Sequence, residues 1–362
     1  MPLPHVLVTG GCGFVGTAVV SALLDTKRYS VTAVDINPPS LGSPNFSSTH
    51  TNVRYVRCDV LDPAALSSVF SETRPVAVIH TVGMYHLGTK RYSMEGRDAV
   101  FEVNVQGTRN VLQASKECGV ESFVYTSSTT VVLDDLNRDF RNVDEKWPKH
   151  CVDTSYGLSK ALSEDLVLTS STPTFLTCAL RPPPIFGPND STLTPTLHAC
   201  ISAFQTPFLL GTGTNLQDYA YISNVADAHV LATENLLLGA ENKDAAGSAA
   251  GEALFISNGE PVTARAFCLA VWREFGHVPA FEIAVPERVA WCVGYVAEWV
   301  EWATGAPGTL CRGVVSDGCR DRYVCIDKAR RVLGYEPRVG LEEGIRITCQ
   351  HYKTTLQGRR KT

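Results

Sequence analysis

A chain of 362 residues with 44% apolar and 19% charged side chains is long enough for about two domains, or one large α/β domain with an appended lobe, and can bury a sizeable core. Its net charge of -5 gives no electrostatic case for nucleic acid. No early apolar run carries a basic flank and a cleavage site, and none reaches the roughly 18 uncharged residues of a membrane span. The 12 cysteines form no C-x-x-C pair and the 9 histidines show no ligand spacing, so reduced thiols in an intracellular compartment are expected, with no disulfide framework and no metal.

His5 to Thr9 is a short apolar strand that runs into Gly10-Gly11-Cys12-Gly13-Phe14-Val15-Gly16, and Thr17 to Leu24 reads as a helix. Such a turn is an anion site, because free backbone N–H groups and the positive helix end converge on it. Gly10 permits the tight turn, Gly13 leaves room for a pyrophosphate, and Gly16 lets the helix pack close to the strand. The second strand, Val31 to Val34, ends in Asp35, 19 residues beyond Gly16. An acid there hydrogen-bonds the adenosine ribose hydroxyls and repels a 2′-phosphate, which points to NAD over NADP.

Val53 to Val56 forms a third strand, and Asp59 beyond it either reaches the adenine or serves a turn. A helix from Pro63 to Ser71 precedes the buried strand Val76 to His80, which delivers Thr81-Val82-Gly83 to the sheet's carboxyl edge. Residues 98 to 118 read as one long helix, with Asn104 as a buried, hydrogen-bonded brace. Ser122 to Thr126 is the next strand, 134 to 154 a polar surface loop, 156 to 169 a helix, and Thr174 to Leu180 a strand stopped by Arg181-Pro182-Pro183-Pro184. This alternation predicts a Rossmann-type doubly wound parallel α/β sheet over 1–180. A smaller substrate lobe over 181–362 follows, with segments at about 215–258 returning to the sheet. Ala240 to Glu252 reads as a mobile loop. In the helix Pro286 to Ala303, Val289, Val293, Val296 and Val300 make one face, expected on the core. Trp291, Tyr295, Trp299 and Trp302 make a second stripe, for a pocket, a membrane interface or more core. Glu287, Glu298 and Glu301 make a third strip that argues against an anionic surface.

Tyr156 and Lys160, four apart, share a helix face, and no other tyrosine here has a lysine four residues on. A phenol with a pKa of about 10 is a poor base at neutral pH. A neighbouring ammonium and an oxidised nicotinamide favour the phenolate, which then takes a proton from a substrate hydroxyl. Lys160 would also hold the nicotinamide ribose. The plainer alternative is a solvated lysine beside a packed tyrosine. Ser127, Ser128, Thr129 and Thr130 end the preceding strand and compete to orient the substrate oxygen, with Ser128 favoured and Ser127 second.

The turn Thr9 to Gly16, the Ser127-Ser128 pair and Tyr156-x-x-x-Lys160 together resemble the extended short-chain dehydrogenase/reductase superfamily. Asn104 to Asn110, Tyr125 to Ser128, Arg181 to Pro188, Asp218 to Ala226 and Lys328 to Pro337 are similar to the 3β-hydroxysteroid dehydrogenase family, and within it to the fungal-type sterol-4α-carboxylate 3-dehydrogenase (decarboxylating) branch. The resemblance implies NAD-dependent oxidation of a 3β-hydroxyl on a hydrophobic sterol or terpenoid, then loss of carbon dioxide from the β-keto acid. It places Phe14, Val15, Val60, Thr81, Pro184 and Ile185 around NAD together with Gly10, Gly13, Gly16, Asp35, Asp59, Tyr156 and Lys160. It implies a cytoplasmic protein or one on the cytosolic face of the endoplasmic reticulum, and leaves open a peripheral membrane contact and a homodimer. One segment departs from it: after Ile79-His80 that branch has Thr-Ala-Ser-Pro, whereas this chain has Thr81-Val82-Gly83-Met84-Tyr85-His86. That departure leaves room for a 3β-hydroxy terpenoid dehydrogenase without decarboxylation. A nucleotide-sugar epimerase or dehydratase on the same fold is the other enzymatic alternative, and a non-catalytic dinucleotide sensor is a third class, disfavoured by the intact Ser128, Tyr156 and Lys160 set.

Overall fold

The apolar runs of the first half become strands buried on both faces, as parallel sheets require. In the computed structural model, which describes residues 3–38, 53–150, 153–241, 247–304 and 310–359, they are β1 (His5–Thr9), β2 (Ser30–Asp35), β3 (Val53–Arg57), β4 (Ala77–His80), β5 (Ser122–Thr126), β6 (Leu176–Arg181) and β7 (Ala253–Phe255). They form one 7-stranded sheet in the order β7-β6-β5-β4-β1-β2-β3, and every pairing is parallel. Alternate residues point to opposite faces. Val6, Val8, Ala33, Ile79 and Val124 join one core with Val19, Val20 and Leu23 of the helix Phe14–Asp25 and Val225 and Leu236 of the helix Ile222–Glu241. Leu7, Val34, Val78, Phe123 and Tyr125 join the other, with Leu66 and Phe70 of the helix Pro63–Thr73 and Val111 and Leu112 of the helix Gly107–Cys118. The chain reverses its winding between β1 and β4, so a crevice opens where those two strands end.

Four expectations need revision. The long helix is interrupted: Arg97–Phe101 passes into a π-helical turn, Glu102–Gln106, before Gly107–Cys118. The widened turn frees the Asn104 carbonyl to accept from Thr108 Oγ (2.6 Å) and Ser163 Oγ (2.9 Å). The polar stretch after Asp134 is not all loop. Phe140–Val143 is a strand that pairs with Arg322–Val324 in a second sheet of 4 strands, completed by Leu216–Gln217 and Val262–Thr263. Its partner lies far along the chain, so local pattern could not reveal it. Within Ala240 to Glu252, residues 242–246 lie outside the described residues, while Ala249 is buried and the Gly251 amide donates to Thr177 at 2.7 Å.

The fourth revision concerns the helix Glu287–Thr304. Its valines do not face the core: Val289, Val293, Val296 and Val300 are 52–60% exposed. Instead it docks through Ala290 and Gly294, where a Cβ on Gly294 would lie 2.8 Å from the Cys311 carbonyl carbon. The acids face the protein: Glu287 pairs with Arg320 (2.5 Å), Glu298 with Arg312 (2.7 Å), and Glu301 accepts from Thr89 (3.0 Å). Trp291, Tyr295, Trp299 and Trp302 form a ladder of ring contacts 5.6–6.4 Å apart, also open to solvent.

Candidate active site

After β1 the backbone turns on Gly10, whose φ of 71° lies in the left-handed region, and a Cβ there would meet Thr81 Oγ at 2.8 Å. Gly13 caps the helix Phe14–Asp25 with no side-chain hydrogen bond, and no acid stands in the first turn. The positive helix end is thus left uncompensated by the protein. A Cβ on Gly16 would sit 2.0 Å from the Gly10 carbonyl oxygen and one on Gly13 at 3.2 Å, so the turn is built of bare backbone. Asp35 accepts from the amides of Cys12 (3.2 Å) and Asn37 (3.0 Å), which ties its carboxylate to this turn. A helix end for a pyrophosphate and an acid for a ribose diol fit a dinucleotide.

The other expected cofactor residues are spread around this turn. Phe14 and Val15 open the helix, and Thr81 donates to the Thr9 carbonyl at 2.8 Å. Val60 is buried, and its carbonyl accepts from Asn110 Nδ2 at 2.9 Å. Asp59 is exposed and takes the Leu61 amide at 2.9 Å in a local turn, while the cap of the next helix is Asp62. Pro184 and Ile185 lie past the end of β6, where the Pro184 carbonyl accepts the Ala220 amide at 3.1 Å and Ile185 stands in register with Ala220.

Tyr156 and Lys160 project from the helix Ser155–Leu168 toward the end of β5. Thr154 caps that helix by accepting the Gly157 amide at 2.9 Å. Asp134 holds the cap in turn, accepting from Thr154 Oγ (2.5 Å) and the amides of Thr154 (3.0 Å) and Asp153 (3.1 Å). Burial lifts the Asp134 carboxyl to about 6 against these bonds. The Tyr156 phenol is pushed up to about 12 by burial, opposed by a Ser128 hydrogen bond and by the Arg91 charge. Lys160 is 2% exposed, donates to the Thr126 carbonyl at 2.8 Å, and lies 4.7 Å from the Tyr125 ring centre. Burial drives its amine down to about 7, against the Glu164 charge.

The two serines part company here. Ser128 is the one close enough to Tyr156 to lower its pKa, and it accepts the Thr130 amide at 3.2 Å. Ser127 donates to Glu164 at 2.7 Å, inside a buried cluster where Glu164 pairs with Arg181 (2.6 Å) and Lys149 (2.8 Å). Burial raises the Glu164 carboxyl, but Arg181 and Lys149 overcome it and hold it below its ordinary value.

Asn104, on the π turn, grips the segment opposite. It accepts the Met84 amide (2.6 Å) and donates to the Met84 carbonyl (2.9 Å) and to Ser159 Oγ (2.8 Å). Gly83 passes Lys160 so closely that a Cβ would lie 3.1 Å from Nζ. Tyr85 packs edge-on to Tyr156, with ring centres 5.8 Å apart. Beyond it, a cavity of about 680 Å³ opens among Tyr92, Ser93, Asp153, Trp291, Glu298 and Arg312. A larger cavity of about 800 Å³ touches the glycine turn at Gly13 and Phe14 and runs between the first helix and Ile222–Glu241, away from Tyr156. The roles of Asp134, Tyr85 and Arg91 had no signature in the sequence, because each depends on a loop brought back across the cleft.

Residues 7–286 match the 3-beta hydroxysteroid dehydrogenase/isomerase family. The chain is 36% identical over 351 residues to the decarboxylating sterol-4-alpha-carboxylate 3-dehydrogenase of Saccharomyces cerevisiae, covering 96% of this chain and 97% of that one. It is 31% identical over 361 residues to 3beta-hydroxysteroid-dehydrogenase/decarboxylase isoform 1 of Arabidopsis thaliana, covering 96% and 79%. UDP-glucose 4-epimerase of Thermotoga maritima shares the fold at a TM-score of 0.73 and 22% identity, over 97% of this chain and 99% of that one. The NAD complex of Thermus thermophilus UDP-glucose 4-epimerase shares it at 0.69 and 24%, over 96% and 99%. The epimerase likeness is one of fold alone, whereas the match in sequence spans nearly the whole chain, glycine turn and Tyr156 helix included. The chain belongs to the 3-beta hydroxysteroid dehydrogenase/isomerase family.

Proposed function

We propose that this protein is an NAD-dependent dehydrogenase that oxidises the 3β-hydroxyl of a 4α-carboxylated sterol and releases the 3-ketone after loss of carbon dioxide. The observation that carries the reading is the half-buried Tyr156, near Ser128 and one helical turn from the buried Lys160, beside a glycine turn tied to Asp35. The names of the yeast and plant relatives supply the substrate class. Gly10, Gly13, Gly16 and Asp35 would hold the dinucleotide, and Lys160 its nicotinamide ribose. Phe14, Val15, Val60, Thr81, Pro184 and Ile185 are kept as cofactor contacts, and Asp59 as the adenine-side candidate. Bound NAD supplies the hydride acceptor and, in its oxidised form, a positive ring.

Ser128 orients the substrate hydroxyl, and Tyr156 takes its proton. Ser127, spent on Glu164, serves as a brace for the end of β5. The resulting β-keto acid breaks its C4–carboxylate bond, the electron pair moves onto the C3 oxygen, and carbon dioxide leaves. Tyr156 and Ser128 face that oxygen as donors, and the proton first taken from the hydroxyl is returned, ending on C4. Residues 1–180 form the cofactor half in this reading, and the later elements, apart from those returning to the sheet, form the substrate side.

The uncovered valine and tryptophan faces of Glu287–Thr304 support a peripheral contact with a lipid surface, such as the cytosolic face of the endoplasmic reticulum, from which a sterol enters. Co-flotation with neutral phosphatidylcholine vesicles should be lost on joint Trp299→Ser and Trp302→Ser exchange. Unchanged flotation, or a homodimer that hides this face, would refute the lipid contact. The enzymatic reading is tested by absorbance of NADH with a panel of 3β-hydroxysterols, against binding of UDP-sugars. Tight UDP-sugar binding with no sterol oxidation would favour the epimerase alternative.

A further inference from the structure

We propose that Arg91 reads the substrate's carboxylate: its guanidinium, held between the rings of Tyr85 and Tyr92 on the wall beside Tyr156, pairs with an acid on the carbon next to the carbinol. This rests on the reading above, since it names the side chain that would recognise the acid group. The guanidinium carbon lies 5.9 Å from the Tyr85 ring centre and 5.8 Å from that of Tyr92. Tyr85 in turn lies against Tyr156. The segment carrying Arg91 is anchored on both sides. Tyr92 packs so tightly on Gly313 that a Cβ there would come within 2.2 Å, and the Ser93 carbonyl accepts the Ser155 amide at 3.0 Å, at the head of the Tyr156 helix.

Arg91 differs from the other cations around the cleft in having no acid. Lys90 pairs with Glu95 (2.7 Å), Arg312 with Glu298 (2.7 Å), Arg320 with Glu287 (2.5 Å) and Arg322 with Asp317 (2.7 Å). Lys160 is spent on the Thr126 carbonyl. Among the described residues no carboxylate lies within ion-pair distance of Arg91, and its side chain is open to solvent. Asp317 acts on it only at longer range and is already paired. An arginine stacked on aromatic rings keeps its planar fork oriented, with little rotamer freedom left to lose on binding a carboxylate. Its charge also reaches Tyr156, which puts the fork and the reacting hydroxyl in one neighbourhood. Tyr85 links the two, lying under the guanidinium at 5.9 Å and against the Tyr156 ring at 5.8 Å, so a substrate that carries its carboxylate beside the carbinol meets both on one wall. Arg91 lies in the stretch following Thr81 to His86, where the chain departs from its branch.

The test compares Arg91→Gln and Arg91→Lys with the unaltered protein on two substrates, a 4α-carboxy-3β-hydroxysterol and the same sterol without the carboxylate. Arg91→Gln should raise KM for the acid by roughly 10- to 100-fold, the worth of a charge-assisted pair, while any change in kcat through its charge on Tyr156 is shared by both substrates. KM for the neutral sterol and the affinity for NAD should stay within about twofold, and Arg91→Lys should recover part of the loss. Equal losses on both substrates, or no loss on the acid, would overturn the assignment. If the unaltered protein binds NAD yet oxidises neither sterol, the dehydrogenase reading falls instead.

Discussion

Lys160 is a lysine kept where a charge is expensive, and that cost can be measured. Its amine is 2% exposed and titrates near 7 instead of the ordinary 10.5. A pKa depressed in the folded state destabilises the protein wherever the unfolded chain binds the proton and the folded one resists it. The penalty is fully present below the folded value and disappears above the unfolded one. A shift of this size corresponds to roughly 4–5 kcal/mol at pH 6 and under about 1 kcal/mol at pH 10. Lys160→Met keeps the apolar stem, removes the charge, and gives up the bond to the Thr126 carbonyl, a loss of about 1–2 kcal/mol. The variant without cofactor should therefore be more stable than the parent by about 3 kcal/mol at pH 6 and no more stable, or slightly weaker, at pH 10. Urea unfolding of both proteins at several pH values, read as midpoint differences, measures this. A stability difference that does not change with pH would refute the reasoning, since the group would then not carry its charge cost into the fold. Turnover should be lost in the same variant.

Tyr156→Phe should abolish turnover while leaving NAD affinity within about twofold, because the phenol oxygen is used on the substrate; retained activity measured by NADH formation would remove Tyr156 from the mechanism. Asp35→Ala should shift the ratio of kcat/KM values toward NADP by at least about tenfold, through loss of the acid that repels a 2′-phosphate; an unchanged ratio would sink the ribose assignment. Asn104→Ala strips the bonds to Met84 and Ser159 and should cost about 2–4 kcal/mol, since buried partners are left unpaired. Thermal unfolding of that variant at an unchanged Tm would show that the π turn does not brace the cleft wall.

The sheet was readable because each central strand is a continuous apolar run and the turns between them carry glycine or an acid at a defined place. Gly10, Gly13, Gly16 and Asp35 came from glycine spacing read together with the strand before it, the helix after it and the acid ending the second strand, and Tyr156 with Lys160 from helical spacing joined to the Ser127-Ser128 pair and the family resemblance. What local pattern missed depends on distant partners. Phe140–Val143 is a strand only because Arg322–Val324 comes to lie beside it. The helix Glu287–Thr304 has two apolar stripes, and periodicity favoured the valine one for the core. The structure buries neither, because Gly294 allows close approach on a third side and Arg312 and Arg320 neutralise the acids there. Lys160, expected as an ammonium beside Tyr156, donates to the Thr126 carbonyl, and burial lowers its pKa to about 7, an environment that helical spacing does not reveal.

The most direct test of the whole account is a stoichiometry. The purified protein is given NAD and a 3β-hydroxysterol carrying an isotopically labelled 4α-carboxylate, and NADH, labelled carbon dioxide and the sterol product are measured together. The account predicts NADH and labelled carbon dioxide in equal amounts, with a 3-ketone that has lost the label. No NADH from the acid, or NADH with a recovered product that still holds its carboxylate as the final species, would contradict it.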